Sequence, residues 1–130
     1  MVNIIACDDD IDIVRALKIY LSAEGFNVLE AYNGNEVLRL LAENEVHLIL
    51  MDVMMPVMDG LTATKRIRKL KRKDARTVPV IAMTANVFNE DIIAAKEAGM
   101  NEHIAKPLDF DKLIHTLAKY FLKMDKKLIS

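Results

Sequence analysis

The sequence predicts an α/β domain, five parallel strands with a helix after each and helices on both faces of the sheet. Three observations carry this. Short apolar runs alternate along the 130 residues with segments whose apolar side chains recur at helical spacing. Runs such as Ile4-Ile5-Ala6-Cys7, Leu48-Ile49-Leu50-Met51 and Val80-Ile81-Ala82-Met83 are continuously apolar. Strands buried on both faces read that way, whereas one-sided strands alternate. Several runs also end abruptly on a charged or hydroxyl residue.

The first strand is Asn3 to Cys7, and it stops at Asp8-Asp9-Asp10. Asp10 can cap the next helix and oppose its N-terminal dipole. That helix turns Ile13, Val14, Leu17, Tyr20 and Leu21 to one side and stops at Gly25. Phe26 to Ala31 is the second strand. Asn33-Gly34-Asn35 is a turn whose last residue can cap a helix carrying Val37, Leu38, Leu40 and Leu41. The third strand, Val46 to Met51, delivers Asp52. The simplest reading of that aspartate is a cap for the next segment of chain. Asp59-Gly60 is a turn that folds the loop back. The third helix sends Leu61, Thr64, Ile67 and Leu70 inward. Its outer face and tail carry Lys65, Arg66, Arg68, Lys69, Lys71, Arg72, Lys73 and Arg76. A solvated face with an exposed loop explains these charges, and a docking patch for an acidic partner is the alternative. The fourth strand, Val78 to Thr84, tolerates Pro79 at its start. A short helix, Glu90 to Ala98, ends at Gly99. The fifth strand, Glu102 to Lys106, is broken by Pro107. Asp109 caps a last helix with Phe110, Leu113, Ile114, Leu117 and Phe121 inward, and the stretch from Lys123 to Ser130 is expected to fray. Five strands so connected fit the flavodoxin-like order 2-1-3-4-5, with a ligand crevice between strands 1 and 3.

Composition narrows the function. The chain is 52% hydrophobic and 28% charged, as suits one globular domain. A net charge of -1 gives no global field for nucleic acid or anionic membrane. An aromatic share of 5% with no Trp leaves no platform for stacking bases. One cysteine, Cys7, excludes an internal disulfide and fits a reducing compartment. No apolar stretch approaches a membrane span and no leader is visible, so a cytoplasmic protein is expected. Cys7 reads as core, and His47 and His115 as ordinary surface or boundary residues.

In a parallel sheet the carboxyl ends of all strands share one edge. That edge receives Asp8 and Asp9, Asp52, Thr84 and Lys106. Adjacent carboxylates repel unless something positive sits among them. An all-oxygen set without His or Cys suits a hard divalent cation. Mg²⁺ fits better than Ca²⁺, which lacks its spaced loop of oxygens here. A metal, a lysine and a hydroxyl around one carboxylate suit phosphoryl transfer, with Asp52 as nucleophile and an aspartyl phosphate as product.

Four motifs now stand in order: Cys7-Asp8-Asp9-Asp10, Leu50 to Gly60 around Asp52, Met83-Thr84-Ala85, and Ala105-Lys106-Pro107-Leu108. Together they resemble the response-regulator receiver domain of two-component signalling, a CheY-like module. The resemblance covers Asn3 to Phe121 and implies a receiver over 1–123 with a charged tail over 124–130. It implies Asp52 as phosphoacceptor. Asp9, Asp52 and the Met54 backbone carbonyl become Mg²⁺ ligands, with Asp8 acting through water and Mn²⁺ as a substitute. Thr84 and Lys106 would bind phosphoryl oxygens, the Lys106–Pro107 bond would be cis, and small Ala85 would flank the site. His103 takes the place of the switch residue, often aromatic in this family, and a half-exposed strand histidine is the simpler account of it. Met83 to Phe88 and Gly99 to His103 look most like receivers of hybrid histidine kinases.

The leading expectation is a phosphorylation-dependent switch, not an enzyme acting on outside substrates. Its partners would be a histidine kinase or histidine phosphotransfer domain and a downstream protein target, without direct nucleic-acid or membrane binding. A receiver excised from a hybrid kinase, working as a relay intermediate, is the near alternative. A metal-dependent aspartyl-phosphate phosphatase is a second class. Such enzymes carry an acid two residues after the nucleophile, where this chain has Met54. A binding module that never takes phosphate is a third, opposed by intact Asp9, Asp52, Thr84 and Lys106.

Overall fold

The protein is described by a computed structural model. It covers residues 2–55, 58–85 and 89–129, with side chains described except at 89–90 and 122–129. Pro56, Val57 and Asn86 to Phe88, which belong to the motifs above, lie outside the described residues.

Five strands form one parallel sheet in the order β2-β1-β3-β4-β5: β1 Asn3–Cys7, β2 Asn27–Ala31, β3 Leu48–Asp52, β4 Val80–Thr84 and β5 Glu102–Ala105. The expected fold class and strand order are both observed. The register sets Cys7 beside Met51, Asp52 beside Met83 and Thr84 beside Ala105, so the carboxyl ends are level.

The two sides of the sheet follow from the alternation of side chains along each strand. Ile4, Ala6, Leu48, Leu50, Ile81 and Met83 face α1 (Ile11–Ala23) and α6 (Phe110–Ile129), meeting Val14, Leu17, Leu21, Leu113 and Leu117. Ile5, Cys7, Ile49, Met51, Val80 and Ala82 face the other way. They meet Val37 and Leu41 of α2 (Gly34–Glu43), Ala63 and Ile67 of α3 (Gly60–Arg68), Ala75 of α4 (Lys73–Thr77) and Ala95 of α5 (Asn89–Ala98). β3, β4 and most of β1 are buried on both faces, which explains their unbroken apolar sequences.

Three local expectations need correction. Among the described residues there are six helices, not five, because Lys73–Thr77 forms the short α4 in the stretch expected to be loop. Ala75 drives this by entering the core, and Asp74 accepts the Ala75 N–H and pairs with Arg72. The cap of α2 is Asn33, not Asn35: its Oδ1 accepts the Glu36 N–H at 2.9 Å, and Glu36 Oε2 accepts the Tyr32 N–H at 2.9 Å. This is a capping-box spacing, Asn to Glu, that was present in the sequence. The stretch after Lys123 continues α6 to Ile129 instead of fraying. The other expected caps hold. Asp10 accepts the Asp12 N–H, Asp109 accepts the Asp111 N–H, and Gly25 and Gly99 end their helices at φ 94° and 107°.

Candidate functional site

Alternation along the strands also builds the site. Asp8 continues the face of Ile4 and Ala6, Asp52 that of Leu48 and Leu50, and Lys106 that of Ile104. Three charged side chains from three strand ends therefore converge. Lys106 Nζ lies 2.7 Å from Asp8 Oδ2 and 3.3 Å from Asp52 Oδ1. One carboxylate oxygen each of Asp8, Asp9 and Asp52 lies within 4.8 Å of the other two. Asp8 and Asp52 are buried and Asp9 is exposed. The cluster opens into a cleft shared with Met54, Ala85 and Lys106.

Among the described residues two backbone N–H groups answer these charges. Asp8 Oδ1 accepts the Asp10 N–H at 3.0 Å, and Asp52 Oδ1 accepts the Met54 N–H at 3.2 Å. Asp8 Oδ2 is buried without an aligned hydrogen bond; Lys106 is its ion-pair partner. Burial first, then the charge of Asp8, pushes the Asp52 carboxyl up to about 7, against the pull of Lys106 and the Met54 N–H. Burial works to lower Lys106, but the neighbouring carboxylates outweigh it and hold the ammonium above its ordinary range. Buried acids this close, supplied with one lysine, form an all-oxygen donor set that fits a hard divalent cation.

The described residues that follow Asp52 are held by packing and hydrogen bonds. Asp59 caps α3 by accepting the Thr62 N–H at 2.7 Å, so Asp59-Gly60 opens a helix as well as turning the chain. The Gly60 N–H donates to Val53 O at 3.0 Å. A Cβ on Gly60 would land inside the van der Waals radius of the Asp52 carbonyl, so only glycine permits this approach. Met58 is buried against Gly34, and Met55 lies 3.5 Å from the Cys7 sulfur. Burial, then Asp8 and Asp52, pushes the Cys7 thiol far up, which agrees with its reading as core. Met54 is instead 73% exposed at the cleft.

Thr84 ends β4 and is buried, and its carbonyl accepts the Lys106 N–H at 2.9 Å. The Lys106–Pro107 bond is cis, as the resemblance implied. His103 pairs in register with Ala82, and Thr84 with Ala105. His103 and Thr84 therefore leave the same face of the sheet. His103 is exposed, in clefts bordered by α5 and α6.

Some residues read as plain surface are structural. Arg68 and Arg72 are half-buried and bonded, whereas Lys65, Arg66, Lys69, Lys71, Lys73 and Arg76 are exposed. His47 Nδ1 accepts the Asn3 N–H at 2.9 Å. A lone Arg or His at an element boundary carries no signal in sequence that separates these roles.

The fold and the acid-lined edge define a receiver domain of two-component signalling. A family model described as the response regulator receiver domain matches residues 4–118, and the chain belongs to that family. It is 36% identical over 118 residues to the transcriptional regulatory protein ZraR of Salmonella typhimurium, covering 91% of this chain and 26% of ZraR. It is 38% identical over 120 residues to an uncharacterized 14.6 kDa protein of Leptolyngbya boryana, covering 92% and 90%. A two-component response regulator from Clostridium difficile superposes with a TM-score of 0.87 at 27% identity, covering 95% of this chain and 98% of that one. The receiver domain of a Pseudomonas aeruginosa sensor histidine kinase, solved with magnesium coordinated in its active site cleft, gives a TM-score of 0.81 at 31% identity, covering 91% and 95%. Among the described residues no helix is long and apolar enough to cross a membrane.

Proposed function

We propose that the chain is a phosphorylation-dependent switch in which Asp52 accepts a phosphoryl group from a histidine of a partner kinase or phosphotransfer domain. The observation that carries this reading is the convergence of Asp8, Asp9 and Asp52 at the carboxyl edge of the sheet, with Lys106 paired to Asp8 and Asp52. A carboxylate oxygen of Asp52 attacks the phosphorus of the phosphohistidine. The P–O bond forms as the P–N bond breaks, and the departing imidazole keeps the electron pair and takes a proton from solvent. Lys106 neutralises charge on the equatorial oxygens; its 3.3 Å approach to Asp52 supports this role. Asp9, Asp52 and the Met54 carbonyl would hold Mg²⁺, or Mn²⁺, directly, with Asp8 acting through water. When bound, the ion supplies positive charge that offsets the carboxylates and the incoming phosphoryl group.

Thr84 donates its hydroxyl to the phosphoryl oxygens, and His103 follows it on the same face of the sheet. Difference between the two states at β4, α5 and β5 then selects partners by protein contact, in the cytoplasm. Met54 stands where a phosphatase of this chemistry carries its second acid, so no side chain at that position activates water for turnover of outside substrates. The chain spans 26% of ZraR, so the activity of that whole regulator does not transfer with the resemblance.

Intact-protein mass spectrometry after incubation with acetyl phosphate tests the reading. One phosphoryl adduct that needs Mg²⁺ and is lost in Asp52→Asn is expected. Hydrolysis of the donor without an adduct would favour the phosphatase. Neither adduct nor hydrolysis, with a phosphohistidine partner also supplied, would leave a binding module.

A further inference from the structure

Among the described residues, the contacts that hold helix α5 concentrate at its C-terminal end. Among its described side chains the buried ones are Ala95 and Ala98, both in the second half of the helix. Ahead of them Asp91 and Ile93 are exposed and Ile92 is half-buried. Two buried alanines remove little apolar surface from water, so among the described residues 91–98 apolar packing contributes modestly.

The strong contacts come from Arg68, the last residue of α3. Its Nε and Nη2 donate to Gly99 O at 3.0 and 2.9 Å. Its Nη1 donates to Ala75 O of α4 at 3.0 Å, and Nη2 also to Asn101 Oδ1 at 2.9 Å. That same Asn101 oxygen accepts the Val80 N–H at 2.9 Å, and the Asn101 N–H donates to Val80 O at 2.8 Å. One guanidinium thus joins α3, α4, the C-terminal end of α5 and, through Asn101, the first residue of β4. Its positive charge sits at the carbonyl end of α5, where the helix dipole favours a cation. The stem of Arg68 fills the space beside Gly99. A Cβ there would come 2.8 Å from Arg68 Cγ, and Gly99 already sits at φ 107°.

We propose that Arg68 makes the C-terminal end of α5 a fixed pivot, so that a change at the acid site moves the first half of the helix while its last turn stays in place. The proposal rests on the switch reading above, since α5 joins Thr84 on β4 to His103 on β5. Sliding the whole helix would break several hydrogen bonds to one charged group, whereas turning it about its end keeps them. Ile93, 55% exposed, lies on the half that moves, so its position would differ between the two states. Arg68 is a positioning residue in this scheme and touches no reacting atom.

Amide exchange by NMR on the whole chain tests it, with Mg²⁺ and beryllium fluoride as a phosphoryl mimic, in wild type, Arg68→Lys and Arg68→Met. Binding of the mimic is read separately by fluorine NMR. In wild type, exchange at residues 91–94 should change several-fold on binding, while residues 96–100 stay constant. In both Arg68 variants residues 96–100 should exchange about tenfold faster at rest, the scale of a lost charged hydrogen bond, and should now respond to the mimic. Lysine keeps the charge but not the fork, so the same result in both variants assigns the pivot to the fork geometry. Bound mimic with equal change along all of α5 in wild type would overturn the pivot and leave the site reading intact. Variants that keep the wild-type gradient would do the same. No bound mimic in wild type would fail the site reading, and the pivot with it.

Discussion

The two edges of the sheet are both polar, and they are built on opposite principles. At the amino edge, polar groups answer one another. Asn27 Nδ2 donates to Asn3 Oδ1 at 2.8 Å, Asn3 Nδ2 to the Glu45 carbonyl at 2.6 Å, and the Asn3 N–H to His47 Nδ1. Asn101 and Arg68 close the same edge at the start of β4. At the carboxyl edge, among the described residues, the buried carboxylates of Asp8 and Asp52 share one lysine and accept two backbone N–H groups, with exposed Asp9 beside them. Satisfied polar groups stabilise a fold, whereas unmet charge of one sign stores an affinity for something of the other sign. The contrast singles out the carboxyl edge as the candidate site without any reference to relatives.

Substitutions at the two edges should therefore behave differently, and the largest effect should come where the backbone itself is crowded. Gly60→Ala should destabilise by roughly 3 kcal/mol or more in chemical denaturation, because its Cβ meets the Asp52 carbonyl, which cannot move without shifting β3. A change under about 1 kcal/mol would mean that the loop relaxes freely. Asp52→Asn should instead stabilise the metal-free protein by about 1–3 kcal/mol near pH 7.5, by removing one of two like buried charges. Wild type should gain melting temperature on addition of Mg²⁺, and Asp52→Asn should lose that gain. A destabilised Asn variant would contradict the picture of an electrostatically overfull site.

Acidity sharpens the same comparison. The folded-state pKa of Asp52 is raised from 3.8 to about 7, so between those values the folded protein binds more protons than the unfolded chain. Stability of the metal-free protein should therefore fall as pH rises from about 4 to about 7 on account of this group, and that slope should flatten in Asp52→Asn. Unfolding in urea across this range, with chelator present, reads it. At the amino edge Asn101→Ala should cost about 1–2 kcal/mol, since it leaves the Val80 N–H without its acceptor and removes one of the two hydrogen bonds of Arg68 Nη2. That loss should not depend on Mg²⁺. The smallest effect is expected at Glu45→Gln, within about 0.5 kcal/mol of wild type, because the carboxylate that approaches His47 is 82% exposed.

The order of the strands, the parallel sheet and the identity of the edge groups were legible in the chain itself, whereas the short helix α4 was not. Those properties are local or periodic. Continuous apolar runs mark doubly buried strands, helical spacing marks the covering helices, and a parallel sheet must bring Asp8, Asp52, Thr84 and Lys106 to one edge. Asn33 with Glu36 is equally legible as a cap, because its three-residue spacing to a glutamate is one that Asn35 lacks. Which charges are met was settled only by tertiary packing. Nothing near Arg68 in the chain announces Gly99 or Asn101, which lie more than 30 residues away, and nothing near His47 announces the N–H of Asn3. Equally, the eight basic residues between Lys65 and Arg76 look alike in sequence, and the fold separates two that bind carbonyls from six in water. The reason is physical. Secondary structure answers to neighbours along the chain, whereas the environment of a charge is set by whichever distant backbone and side chains the packed sheet brings beside it.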